Sequence, residues 1–408
     1  MIKLTLKNLF LIFLCLQIDS IQSVSEDEKK LKRVAGRMYD LINLDDTFHL
    51  QKALFISNYL GLCILPRTAI ASRRFLEAFY RKNGIDRAKY NHVLEVNNML
   101  NRTFEYDEMQ VRIPFLTHHV WVTSVDNPRE MVDVLQDPHI KAQLSIKISY
   151  LNYLLTADPL SYDKQGNQVH KWEHIFWVND KSIIPKSVKF MERAGYVVKE
   201  LRELQVFQSG LLKIALNKYI DENKPGAASD FVKSAIIFEK GGFYQDLDFW
   251  LTEWDIRIHR ALDYFGWNQM QHEIYTVTYQ YSIISRPNHP IQRHYLESFS
   301  VNFGKDQETN NLVHKDCFNM TLGATLYDTG PFLYDLAFLK TYQLGENDQI
   351  LVAPDIDVHH SWSANLNLST GVQIKIQITG EQPGQGSWSD DFNDSLIFGW
   401  SKLNKYKF

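Results

Sequence analysis

Ala228-Ser-Asp-Phe-Val-Lys-Ser-Ala-Ile-Ile-Phe-Glu-Lys-Gly-Gly-Phe-Tyr-Gln-Asp-Leu-Asp248 places a helix, a glycine stop, a short strand and two carboxylates in one stretch. Phe231, Ala235 and Phe238 recur at helical spacing, and Gly241-Gly242 supplies the left-handed residue on which such a helix ends. Phe243-Tyr244 reads as strand, with Asp246 and Asp248 at its far end. In an extended chain side chains alternate, so the two carboxylates are expected on one face and Leu247 on the other. Carboxylates crowded in this way call for a hard divalent cation, one that also takes phosphate oxygens. A solvated Asp-x-Asp loop is the commoner origin of the tripeptide alone; the helix, glycines and strand around it argue against that origin.

With those residues in place, the segment resembles the Asp-x-Asp signature of retaining sugar-nucleotide glycosyltransferases, the DXD-motif sugar-binding group. Golgi mannosyl- and galactosyltransferases belong to that group, and the glucosylating clostridial cytotoxins are more distant relatives. Asp230, Gly241, Gly242, Tyr244, Asp246 and Asp248 match the pattern, while Lys233 stands where the family usually has arginine. Lysine keeps the charge and loses the planar fork. The resemblance implies a GT-A-type α/β fold, a Rossmann-like, mostly parallel sheet flanked by helices. It also implies a Mn²⁺ or Mg²⁺ ion held by Asp246 and Asp248, and a nucleotide-sugar donor contacted by Asp230, Lys233, Tyr244 and Asp246.

Working outward, Pro114–Val122 reads as a buried strand, and His174–Val178 as a second. Pro185 opens a helix running through Met191, Gly195 closes it, and Tyr196–Leu201 is the next strand. This is a βαβ unit, hence a parallel sheet, and ligands of such sheets bind beyond the carboxyl ends of the strands. No repeat or low-complexity segment interrupts the chain.

Further motifs extend the resemblance. Trp121, near the end of the first strand, is the candidate for stacking on the nucleotide base, with Trp177 as its rival; either could be a core residue instead. Ser285-Arg-Pro-Asn-His-Pro290 resembles a structural turn leading into a helix, and Thr329-Gly-Pro331 another, at which a sugar could approach the backbone. Gly384-Gln-Gly-Ser-Trp-Ser-Asp390 resembles the terminal loop that closes over the donor, which makes Ser387 a metal candidate and Trp388 a catalytic one. A competing alignment uses His359-His-Ser-Trp362.

The chain has 408 residues and a net charge of −4 with no polybasic run, so nucleic acid is a poor partner. Lys3 and Lys7 precede the apolar run Leu9–Leu16, and Ser20–Ser23 offers small residues for cleavage. Residues 1–23 therefore read as a signal peptide, because the run is shorter than the roughly 20 residues of a membrane span. A signal-anchor from Leu4 to Ile21, associating with the membrane, is the competing reading. Cleavage would remove Cys15 and leave Cys63 and Cys317, too little to argue a disulfide. Asn101, Asn319, Asn367 and Asn393 head glycosylation sequons, compatible with a Golgi or ER lumen or with secretion. Residues 24–110 read as a helical region, with Leu31, Val34, Met38 and Leu41 on one stripe, and residues 111–408 as the glycosyltransferase domain. The expected function is a metal-dependent, retaining hexosyltransferase moving sugar from a UDP- or GDP-sugar to a glycan, glycolipid or protein. A toxin-like enzyme modifying a host protein and a non-catalytic secreted Ca²⁺-binding module are the alternatives.

Overall fold

The computed structural model describes residues 103–271, 275–278, 280–309, 346–347, 349–354 and 362–381, together with 329–331, 333–334, 337–338 and 341. The leader, residues 24–102, His359, His360, Ser387 and Trp388 lie outside the described residues. Along the chain the elements are β1 (Thr103–Phe104), β2 (Leu116–Trp121), α1 (Pro138–Ala157), β3 (Glu173–Val178), α2 (Pro185–Ala194) and β4 (Val197–Glu200). There follow α3 (Gly210–Asp221), α4 (Pro225–Lys240), β5 (Gly242–Gln245), β6 (Trp250–Glu253), β7 (Tyr264–Gln271), β8 (Tyr275–Thr278) and β9 (Ser282–Ser285). The last are α5 (Pro290–Thr309), β10 (Ile350–Pro354), β11 (Trp362–Leu368) and β12 (Gln373–Glu381).

The main sheet has the strand order β10-β7-β9-β5-β2-β3-β4, with β8 paired to β7. Strands β5, β2, β3 and β4 run parallel, and β9 is the antiparallel strand between β5 and β7. The chain forms an α/β sheet with flanking helices as expected, but a mixed one, with antiparallel pairings of β9 to β5 and β7 and of β8 to β7 beside the parallel strands. Local chemistry explains the elements. Asp137 caps α1 by accepting from the His139 amide, with Pro138 as first helical residue. Pro185 opens α2 and Gly195 caps it, its amide bonded to the Glu192 carbonyl at 3.1 Å. Helix α4 buries Ala228, Phe231, Val232, Ala235 and Ile236 and lies across β2, β5 and β9. Phe231 stacks on Phe299 of α5 at 4.6 Å between ring centroids. Truncating such a ring to alanine costs about 3–5 kcal/mol.

The order of the strands fixes where a ligand can sit. From β2 the chain steps outward to β3 and β4, then returns through α3 and α4 to β5 on the opposite side of β2. The winding therefore reverses between β2 and β5. Crevices in open α/β sheets form at the carboxyl ends of the strands flanking such a reversal.

A smaller sheet of order β1-β11-β12-β6 was not anticipated. The antiparallel pair β11–β12 docks on β6, and Glu381 is in register with Trp250, two residues beyond Asp248. β1 belongs to this sheet, and Phe104 is fully buried in the core. Residues 103–110, read from the sequence as the end of a helical region, thus open with a strand of the folded body.

Candidate active site

The helix stop positions everything after it. Gly241 and Gly242 have φ of +67° and +95°, the half of backbone space that side chains other than hydrogen avoid. Space excludes a side chain as well: a Cβ on Gly241 would meet Pro287 at 2.6 Å, and one on Gly242 would meet the Leu116 carbonyl at 2.7 Å. The Gly241 carbonyl accepts from His118 Nε2 at 2.9 Å, so the other ring nitrogen of His118 accepts from Trp177 Nε1 at 3.1 Å. Burial holds His118 neutral, its pKa lowered to about 3, which suits this one-proton relay. Trp177 is thereby a core residue, 1 % exposed, and not a base-stacking platform. Trp121 is only partly buried at the end of β2, where its indole donates to the Arg129 carbonyl at 2.8 Å.

Asp246 and Asp248 follow β5 at its carboxyl end, as expected, but not in an extended conformation. Leu247 and Asp248 form a turn closed by Phe249 N–H to Asp246 C=O at 3.1 Å. The expected alternation of faces arises from that turn and not from strand geometry. Leu247 and Phe249 are buried, Phe249 against Tyr281 at 5.4 Å, while both aspartates stay partly exposed. The Asp246 amide is pinned to the Tyr281 carbonyl at 2.7 Å.

Around Asp246 the fold assembles the other candidates. The Tyr244 hydroxyl donates to Asp246 Oδ1 at 2.6 Å; burial, reinforced by the nearby carboxylates, raises its pKa well above the usual value and keeps it a donor. Lys233 Nζ lies 2.9 Å from Asp230 Oδ1 and 3.9 Å from Asp246 Oδ1, over the Tyr244 ring at 5.6 Å. Burial alone would lower the Lys233 pKa, but Asp230 and Asp246 outweigh it and raise it. Asp230 is raised because desolvation exceeds the pull of Lys233. Its second oxygen takes the Thr329 hydroxyl at 3.3 Å, so the Thr-Gly-Pro segment meets the site through Thr329. The Ser285–Pro290 turn leads into α5 as expected, and its His289 is fully buried beside Asn347, a structural role.

Two hard carboxylates would suit a divalent cation that also takes phosphate oxygens. Tyr244 and Lys233 both engage Oδ1 of Asp246, and the carboxylate is 29 % exposed, which leaves Oδ2 for such an ion. Among the described residues no group of three or more His, Cys, Asp or Glu is assembled for a metal.

Sequence reasoning missed Lys147. It sits on α1 in the stripe Ile140, Leu144, Lys147, Leu151 and Leu155, all buried, and donates from Nζ to the Phe249 carbonyl at 3.0 Å. The spacing was the available signal: a lysine three residues after Leu144 and four before Leu151 must point inward with them.

No protein-family model and no curated protein matches the chain. Among solved structures, the chain is similar to the PaToxG glycosyltransferase at 14 % identity, with 64 % of this chain and 79 % of that one covered and a TM-score of 0.39. The UDP-bound glycosyltransferase domain of the YGT toxin shows 10 % identity, coverage of 60 % and 80 %, and a TM-score of 0.34. The catalytic domain of the Clostridium novyi alpha-toxin shows 11 % identity, coverage of 81 % and 89 %, and a TM-score of 0.31. At such distances the chemistry has to be argued from the residues of this chain.

Proposed function

We propose that this chain is a GT-A-type, metal-dependent and retaining glycosyltransferase of the hexosyltransferase class. It moves sugar from a UDP- or GDP-sugar to a glycan, glycolipid or protein acceptor in the secretory pathway. The observation that carries the reading is the placement of Asp246 and Asp248 at the carboxyl end of β5, beside the strand-order reversal, with Trp121 at the same end of β2. A Mn²⁺ or Mg²⁺ ion held there by Asp246 and Asp248 would supply Lewis-acid neutralisation of the leaving diphosphate.

The other roles follow from contacts. Tyr244 orients Asp246 through its hydroxyl. Asp230 offers charge-assisted hydrogen bonds to sugar or ribose hydroxyls. Lys233 was expected to contact the nucleotide-sugar donor; with its ammonium 2.9 Å from Asp230 and its side chain 6 % exposed, we assign it instead to holding Asp230 beside Asp246. Trp121, partly buried at the end of β2, takes the base. Ser387 and Trp388 lie outside the described residues, and their proposed place over the donor draws support from β12, whose last residue, Glu381, is in register with Trp250.

Incubating the purified protein with Mn²⁺ and a panel of nucleotide sugars tests the proposal. One donor should be hydrolysed in preference to the rest. A protein that neither hydrolyses a donor nor binds UDP or GDP with Mn²⁺ would overturn it.

A further inference from the structure

Lys147 is an anomaly for stability. Its side chain is buried to 2 % exposure in an otherwise apolar helix stripe, and its one hydrogen-bond partner among the described residues is the Phe249 carbonyl. Replacing such a buried charge by a well-packed apolar residue is commonly neutral or stabilising. Its retention therefore calls for a reason other than packing.

The surroundings supply one. The ammonium lies beneath the Asp246–Phe249 turn, and the carboxylates whose charge reaches it are Asp248 and Asp246. The neighbouring rings His119 and His174 are held neutral, chiefly by burial and further by Lys147 itself. His119 donates from Nδ1 to the Gln245 carbonyl at 2.6 Å and so also fixes the strand end before the turn. Burial pulls Lys147 down to about 7, and the two aspartates resist that fall.

We propose that Lys147 is a built-in counter-charge of the site, a positioning residue that weakens binding of a bare divalent cation and strengthens binding of the cation together with a nucleoside diphosphate. The inference rests on reading Asp246 and Asp248 as the metal–diphosphate site. Its physical content is a sign rule. A protonated Lys147 beneath two carboxylates opposes a lone cation, and it attracts the additional negative charge that a diphosphate brings. Lys147 would thus favour the cation as its diphosphate complex over the bare ion.

Calorimetric titration decides this, using MnCl₂ alone and then UDP and GDP at saturating Mn²⁺, on the full chain. Lys147→Met should bind Mn²⁺ alone about tenfold tighter and the nucleotide about tenfold weaker, with melting temperature unchanged or raised. Lys147→Arg, which keeps the charge, should behave like wild type. Lys147→Gln, which keeps a donor and loses the charge, should follow Lys147→Met and serves in its place if that variant does not fold. A purely structural lysine would instead lower the melting temperature of the neutral variants and move neither affinity. Neutral variants with wild-type affinities would overturn the inference while leaving the proposed function standing. A wild type that binds neither Mn²⁺ nor nucleotide would remove that function, and this inference with it.

Discussion

Lys233→Met removes the cation that, among the described residues, joins Asp230 to Asp246. The side chains of Lys233 and Asp230 are 6 % and 14 % exposed and 2.9 Å apart, so the variant leaves a nearly buried carboxylate whose remaining partner among the described residues is the Thr329 hydroxyl. Breaking a buried pair by deleting one partner costs about 3–5 kcal/mol. Asp246 is 29 % exposed and 3.9 Å away, so its loss adds little. The cost carries a pH signature. Burial already raises the folded-state pKa of Asp230, and without Lys233 the value must rise further. A carboxyl whose folded pKa lies above its unfolded value binds more protons when folded, so stability is recovered as pH falls through the folded value toward the ordinary carboxylate range. Urea unfolding of variant and wild type at about pH 7.5 and about pH 5.5 measures the difference, which should shrink at the lower pH. A deficit under about 1 kcal/mol that is the same at both pH values would refute the claim that Lys233 exists to hold these carboxylates.

Other outcomes follow from the same geometry. Asp248→Ala should abolish donor hydrolysis with little change in melting temperature, because it removes a partly exposed ligand; near wild-type turnover at saturating Mn²⁺ would contradict the metal site. Gly242→Ala should destabilise by about 2 kcal/mol or more in thermal unfolding, since φ is +95° and the new methyl meets the Leu116 carbonyl at 2.7 Å. Stability should fall steeply on acidification below the ordinary histidine value. His118 and His259 are lowered to about 3 and His174 to about 4 by burial, so the unfolded chain takes up protons there first. A flat profile down to about pH 4.5 would argue against those buried neutral rings.

Much of the site was legible because its signals are local. The stripe of α4, the glycine pair and the apolar Phe243-Tyr244 lie within one short stretch, so periodicity and turn chemistry sufficed to place β5 and both aspartates at its end. The turn was not legible, because it is imposed from elsewhere: Tyr281 holds the Asp246 amide, and Phe249 is drawn into the core against Tyr281 and Gly380. Nor was the smaller sheet, since pairing β1 with β11 joins residues far apart in sequence with nothing local to announce it. The two candidate tryptophans look alike in sequence and separate only through His118, a ring that saturates one indole and ties it into the core. Lys147 shares the spacing of the apolar stripe of α1, but its charge sets it apart from the stripe in sequence.

The proposed role of Asp246 and Asp248 is to hold the cation through which the donor is used. Its most direct test is donor hydrolysis by the purified protein in EDTA, followed by addition of Mn²⁺ or of Ca²⁺, with Asp248→Ala in parallel. Turnover should vanish in EDTA, return with Mn²⁺ better than with Ca²⁺, and stay absent in the variant. Full turnover in EDTA would contradict the account and take from both aspartates the role given to them.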